Sequence, residues 1–228
     1  MESIKKMRFI DGTVLKLIAM VTMIFDHVGD SLFPEYTWMR IIGRIAMPIF
    51  AFCVAEGFGH THDKLKYLTR MAIFAVISEV PFDLFGAGKA LDLSHQNIMF
   101  TFALAIAGLI LYEKLILSGK KSGYIFGYLV LILSCAAALI LKTDYTFLGV
   151  LLVTIFFLLR KKDLLIRDGV ALLSHLALRN MGIYLWGILG FIPIAFYNGE
   201  RGKGMKYLFY VFYPAHLLLI FVIRTLIG

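Results

Sequence analysis

Read from its N-terminus, the chain repeats one pattern: an apolar run of membrane-spanning length, a short polar connection, then another apolar run. Window hydropathy places these runs at 14–33, 39–58, 67–85, 96–114, 123–141, 146–159, 165–178, 183–198 and 207–227. The pattern predicts an all-α, polytopic integral membrane helix bundle with about nine transmembrane helices, within a range of eight to ten. The runs at 146–159 and 165–178 are short for a hydrocarbon core of about 30 Å, so they are expected to be tilted, partly re-entrant or one broken pair. No stretch between runs is long enough to bury a core of its own, so residues 1–228 read as a single membrane domain.

Charge changes the picture by giving it a direction. The connections alternate between basic and nearly neutral. One set holds Lys5, Lys6 and Arg8; Lys64, Lys66 and Arg70; Lys114, Lys120 and Lys121; Arg160, Lys161, Lys162 and Arg167; and Arg201, Lys203 and Lys206. The other set holds only Arg40, Lys89, Lys142 and Arg179. The positive-inside rule then puts the N-terminus in the cytoplasm, and an odd number of spans puts the C-terminus outside. The formal net charge of +8 is therefore topological and does not point to nucleic acid, because the basic residues are parcelled between apolar runs. No small-residue cleavage site follows the first run, which is expected to be retained. With 60% hydrophobic residues the composition agrees with a chain whose main solvent is lipid. No internal repeat is evident, which weighs against a transporter built from inverted halves.

The candidate chemistry lies in charges that interrupt the apolar runs, since each costs about 2.5–3.5 kcal/mol to insert at a span centre and needs a partner or a task. Asp26 and His27 follow LIAMVTMIF, roughly 20 Å from the inner end of the first run at 1.5 Å per residue. Arg40 and Arg44 open the second run on one helical face, and Glu79 and Asp83 close the third with the same spacing, so the two acids are expected to pair with the two arginines. His95 and Asn97 open the fourth run, Asp144 and Tyr145 the sixth, and His175 and Arg179 share a face in the seventh. All of these fall near the outer boundary. Glu56 lies at the inner end of the second run beside His60 and His62, and His216 lies about halfway along the last. A structural reading, with ion pairs and snorkelling, accounts for Arg40, His95, Lys142 and Arg224. Asp26, His27, Arg44 and His216 sit too deep in apolar helices for it and are the better candidates for function.

A histidine near a carboxylate suits general-base work, and no Ser or Cys nucleophile stands at a recognisable spacing, so the set suggests direct transfer onto an acceptor activated by the histidine. Cys53 and Cys135 lie in different runs without metal-type spacing, the His60–His62 pair is a weak metal signal, and no P-loop, dinucleotide fingerprint or nucleophile elbow is present. No metal is expected.

Several strings carry a resemblance. LKLIAMVTMIFDHVG, IGRIAMPIFAFCVAEGFGHTHDKLKYLTRMAIFAVISEVPFDL, QNIMFTFAL and KYLFYVFYPAHLLLI resemble, nearly end to end, the TraX family, named for the conjugative-pilus protein that N-acetylates F-type pilin. The matching positions are Asp26 and His27, Arg44, Glu56, Asn97, Asp144, and Tyr213, Pro214 and His216. The resemblance implies a multi-pass acyltransferase of the bacterial inner membrane, with cytoplasmic acetyl-CoA as donor and a peptide, pilin or glycan acceptor at the outer side. In that scheme His27 is the base, Asp26 or Asp83 orients it, Arg44 stabilises the oxyanion, and His216 is the rival base. Glu56, Asp83, Asn97, Asp144, Tyr145 and Tyr213 are candidate substrate contacts, and Lys64, Lys66, Arg70, Arg160 and Lys161 are candidates for the CoA phosphates. Two other classes use the same charges differently: an ion-coupled transporter as relays, and a non-enzymatic membrane scaffold as glue between helices.

Overall fold

A computed structural model describes residues 8–176, 182–204 and 206–227, and among them the architecture is helical throughout. Helix α1 (Gly12–Ser31) begins where the Asp11 carboxylate accepts hydrogen bonds from the Thr13 and Val14 N–H groups at 2.8 Å each. Helices α2 (Thr37–Gly43) and α3 (Ala46–His60) form one pass broken at Arg44–Ile45. Pro48 explains the break, because it lacks the N–H that would reach the Arg44 carbonyl and its ring crowds that oxygen. Helix α4 (Lys64–Ala87) starts at an Asp63 cap and stops at Gly88, whose φ of 68° suits a residue without a Cβ. Helix α5 (Ile98–Ile116) starts at an Asn97 cap and leads into α6 (Lys121–Ile140), α7 (Thr146–Leu158) and α8 (Leu164–Leu176). A 3₁₀ segment (Gly182–Gly190), a short α9 (Phe191–Ala195) and α10 (Lys206–Ile227) complete the chain.

Successive helices run back and forth, so the basic connections gather at one end of the bundle, here termed the basic end. The loop after α9 returns to that end and zips against the start of α1: Gly12 N–H donates to Glu200 O at 2.8 Å and Asn198 N–H to Ile10 O at 2.9 Å. The core is centred on α3 and α7, where Phe52 and Phe156 meet edge to face at 5.3 Å and Phe58 and Phe157 at 5.0 Å. Helices α6 and α10 lie outside this core and present large apolar side chains outward, including Ile132, Leu133, Ile140, Leu219 and Leu226. Such faces suit a lipid solvent and would be costly in water.

The expected count of nine spans is met only in part. Among the described residues, five helical passes are long and apolar enough to cross a membrane: Gly12–Ser31, Thr37–His60, Ile98–Ile116, Lys121–Ile140 and Tyr207–Ile227. Helix α4 has 24 residues but carries Lys64, Lys66, Arg70, Glu79 and Asp83. Thr146–Leu158 and Gly182–Ala195 are shorter apolar passes. The apolar run expected at 183–198 is a 3₁₀ segment followed by one turn of α-helix, because it packs on the break in the second pass: a Cβ at Gly190 would lie 2.7 Å from Ile45 O, and one at Gly187 would lie 3.2 Å from Arg44 O. Lys5, Lys6 and Arg179 lie outside the described residues.

Gly43 sets the closest approach of α1 and α2, since a Cβ there would meet the Asp26 Cβ and lie 2.5 Å from its Cα. Gly43→Ala is therefore expected to destabilise the bundle by about 1–3 kcal/mol through overpacking. Gly86→Ala, which meets nothing within 4 Å, is expected to be neutral or slightly stabilising. Thermal unfolding of the two purified variants in detergent checks this, and equal midpoints would contradict the tight crossing.

Candidate functional site

The α1–α2 crossing brings the deepest charges together. Asp26 and Arg44 form a buried ion pair through Oδ2 and Nη2, and Arg40 Nε stands 3.3 Å from the second Asp26 oxygen while its own guanidinium also pairs with Asp30. Glu79 and Asp83, expected to neutralise the arginines, do not. Glu79 accepts from the Asn97 side-chain amide, and Asp83 accepts from the Asp92 N–H at 2.7 Å. The reason is local: the hairpin after α1 folds α2 directly onto the carboxylates one turn apart at positions 26 and 30, before α4 is reached. The Arg44 guanidinium also stacks 4.8 Å from the Tyr184 ring, while its Nε is buried without a hydrogen-bond acceptor among the described residues.

His27 and His216 meet, α1 against α10, although 189 residues separate them. His27 Nδ1 and His216 Nε2 are 2.7 Å apart, with the rings stacked at a centroid distance of 4.9 Å. One further contact fixes the protons. His216 Nδ1 is 2.8 Å from the Phe212 carbonyl oxygen, which can only accept, so this nitrogen carries a hydrogen. In the neutral ring Nε2 is then the acceptor, and His27 must donate to it from Nδ1. The proton order leaves Nε2 of His27 as the basic nitrogen of the pair. The group orienting His27 is thus His216, backed by a main-chain carbonyl, and Asp26 is engaged by the arginines instead.

Asn97 donates to Ala75 O at 2.8 Å as well as to Glu79, which ties the start of α5 to α4. Tyr213 is buried on α10 one turn before His216, with its ring 5.8 Å from that of His216. Asp144 and Tyr145 sit in the turn between α6 and α7, where burial pushes the Asp144 carboxyl up to about 6 against the pull of Arg44. That turn is strained: Lys142, Tyr145 and Thr146 all have positive φ, at 51°, 58° and 44°. It is held by Asp144 N–H donating to Gln96 O at 2.8 Å and by Thr101 Oγ1 donating to Asp144 O at 2.5 Å. His175 donates from Nε2 to the Tyr184 carbonyl at 3.0 Å and so fastens the 3₁₀ segment.

Towards the basic end the bundle encloses a cavity of about 320 Å³. Glu56 lines it with Cys53, Tyr67, Tyr197 and Tyr210, and Phe50, Phe102 and Phe209 supply much of the apolar wall. Asp26, His27, Arg44 and His216 are not among its lining residues. The nearest link is α10, where Tyr210, Tyr213 and His216 recur every three residues and climb about 9 Å from the cavity to the imidazole pair. Of the five basic residues expected to hold phosphates, Arg70 lines the cavity. Lys64 instead pairs with Glu113 and lies over the Phe58 ring, Arg160 donates to Phe157 O at 2.9 Å, Lys66 stands 4.0 Å from Asp63, and Lys161 is exposed. Lys16 and Arg201 also line the cavity, and no pattern visible in the sequence places them there or singles out the Phe212 carbonyl.

The fold and site define a class: an all-helical protein with several helices apolar enough to cross a membrane and with ionisable groups held between them. A family model described as TraX protein matches residues 11–224, and the chain belongs to the TraX family. It is 30% identical over 234 residues to a probable fimbrial assembly protein, FimC of serogroup H1, from Dichelobacter nodosus, a match covering 90% of this chain and 92% of that protein. It is 32% identical over 93 residues to protein TraX of Escherichia coli K12, covering 40% of this chain and 36% of that protein. No solved structure matches.

The buried ion pair yields a test of its own. Arg44→Met leaves the buried Asp26 carboxylate with Arg40 alone and is expected to cost about 3 kcal/mol, whereas the double variant Asp26→Leu/Arg44→Met should recover most of that loss. Equilibrium unfolding of both variants in mixed micelles measures the difference; additive losses would show that the two side chains are not coupled.

Proposed function

We propose that this chain is an integral membrane acyltransferase of the bacterial inner membrane, with its basic end in the cytoplasm, its donor acetyl-CoA, and its acceptor an amine or hydroxyl presented from the outer side. The observation that carries the reading is the His27–His216 pair, whose proton order leaves one basic imidazole nitrogen in an otherwise apolar bundle beside a buried arginine. The distribution of Lys and Arg supports the orientation. The likeness to a probable fimbrial assembly protein favours a pilin-like or peptide acceptor.

In this reading the acceptor nitrogen or oxygen attacks the thioester carbonyl while His27 Nε2 removes its proton. The tetrahedral oxyanion is stabilised by Arg44, whose Nε has no acceptor among the described residues. Collapse breaks the carbon–sulfur bond, the imidazolium returns the proton to the leaving thiolate, and the products are the acylated acceptor and free CoA. His216 holds His27 in the required tautomer and shares the positive charge through the 2.7 Å contact. Asp26 keeps Arg44 in place, and Tyr213, buried one turn before His216, is a substrate contact.

His27→Ala is expected to lower acceptor-dependent CoA release from labelled acetyl-CoA by about 10²-fold or more, the usual worth of a general base, with unchanged expression and helical circular dichroism. His216→Ala should fall between that variant and the wild type. A folded His27→Ala protein with full transfer would remove the assignment. Donor cleavage absent from the wild type with every peptide, pilin and glycan acceptor supplied would remove the enzymatic reading.

A further inference from the structure

Three basic residues that form no ion pair face one cavity. Elsewhere in the bundle Arg40 and Arg44 pair with Asp30 and Asp26, Lys64 with Glu113 and Arg167 with Asp168, while Arg160 and Arg224 donate to the Phe157 and Leu84 carbonyls. Lys16, Arg70 and Arg201, which all line the 320 Å³ cavity, form no ion pair among the described residues. Arg70 Nε is buried without a hydrogen-bond acceptor among the described residues, although its guanidinium lies against the Tyr210 hydroxyl, and Lys16 lies 5.0 Å over the Phe209 ring. They come from α1, α4 and the loop before α10. That loop is fixed to α1 by Gly12 N–H to Glu200 O at 2.8 Å and by the Thr13 hydroxyl donating to Lys203 O at 2.8 Å. Three cations from separate elements around one cavity favour a ligand with more than one negative charge.

The wall narrows the ligand further. Beside its aromatic rings it presents Glu56, Tyr67, Tyr197 and Tyr210 along the way inward. An acyl chain has no use for such groups, whereas an arm containing amide bonds needs hydrogen-bond partners where it leaves water. From Lys16 to His27 the first helix rises about 16 Å, comparable to an extended pantetheine arm by chain-length reasoning.

The geometry points to this cavity as the donor site, in which Lys16, Arg70 and Arg201 clamp the phosphates of a phosphopantetheine thioester and the tyrosine-lined wall guides its arm towards His27. This rests on the acyltransferase reading above and moves the phosphate contacts away from Lys64, Lys66, Arg160 and Lys161. Cys53, half-buried on the same wall, is a built-in reporter of occupancy.

The test measures equilibrium binding of CoA to the purified protein in nanodiscs and, separately, the protection of Cys53 from maleimide labelling in a Cys135→Ala background. CoA is expected to bind and to slow Cys53 labelling. Lys16→Gln, Arg70→Gln and Arg201→Gln should each weaken binding about tenfold, as loss of a charge-assisted contact does, while Lys161→Gln should leave it unchanged. Pantetheine without phosphates should protect only at far higher concentration. Unaltered CoA affinity in all three variants would overturn the assignment, as would protection by phosphatidylglycerol but not by CoA, which would make the cavity a lipid site. His27→Ala separates the two readings. If it binds CoA normally yet transfers at the wild-type rate, the catalytic assignment fails while the donor site stands; if the three cavity variants bind CoA normally while His27→Ala is inactive, the donor site fails alone.

Discussion

Burying ionised groups inside an apolar bundle is expensive, and the crossing of α1 with α2 is where this protein meets that cost. Asp26 and Arg44 are held in contact because Gly43 lets the two backbones approach until no side chain would fit between them. Arg40 and Asp30 extend the pair by one turn towards the end of the hairpin. Removing Asp26 or Arg44 would leave a buried charge without its main partner, so the crossing has little freedom to slide. With α1 fixed in rotation, His27 is presented to α10, where His216 completes the pair.

The rest of the site follows from how the later helices close on that crossing. The 3₁₀ segment can approach only because Pro48 breaks the second pass and Gly187 and Gly190 offer no side chains to the carbonyls left there. Its Tyr184 then covers Arg44, and His175 pins the segment through the Tyr184 carbonyl. On the other side, α10 reaches from the cavity to the histidine pair on one face, so a single helix spans both halves of the proposed reaction. The strained turn at Lys142–Thr146 is held from two directions, by the α5 cap region and by Thr101, which keeps Asp144 near the arginines.

Division of labour between the two ends also follows from charge. The end rich in Lys and Arg carries the cavity and three cations that form no ion pair among the described residues, which in the proposed reaction face an anionic donor. The opposite half carries the Asp26–Arg44 and Asp30–Arg40 pairs and the imidazole pair, which in the proposed reaction serve proton transfer. Helices α1 and α10 run unbroken across the distance between these groups, which lets the bundle hold them at different levels.

Much of this was legible in the amino-acid order. Helical class, the alternation of basic connections, and the depth of Asp26, His27, Arg44 and His216 all come from period, run length and charge, which are local properties. The resemblance carried by DH, GR and YPxH strings agrees with the family match over residues 11–224. Partner choice was not legible: the spacing of Arg40 and Arg44 matched Glu79 and Asp83 as well as it matched Asp26 and Asp30, and only the tight hairpin after α1 decided between them. Likewise no sequence pattern announces that the Phe212 carbonyl sets the proton order of two distant histidines, or that Lys16 and Arg201 face one cavity. Hydrophobic periodicity specifies which face of a helix avoids water, whereas the identity of a neighbour depends on close packing between segments far apart in the chain, and that is a property of the tertiary structure alone.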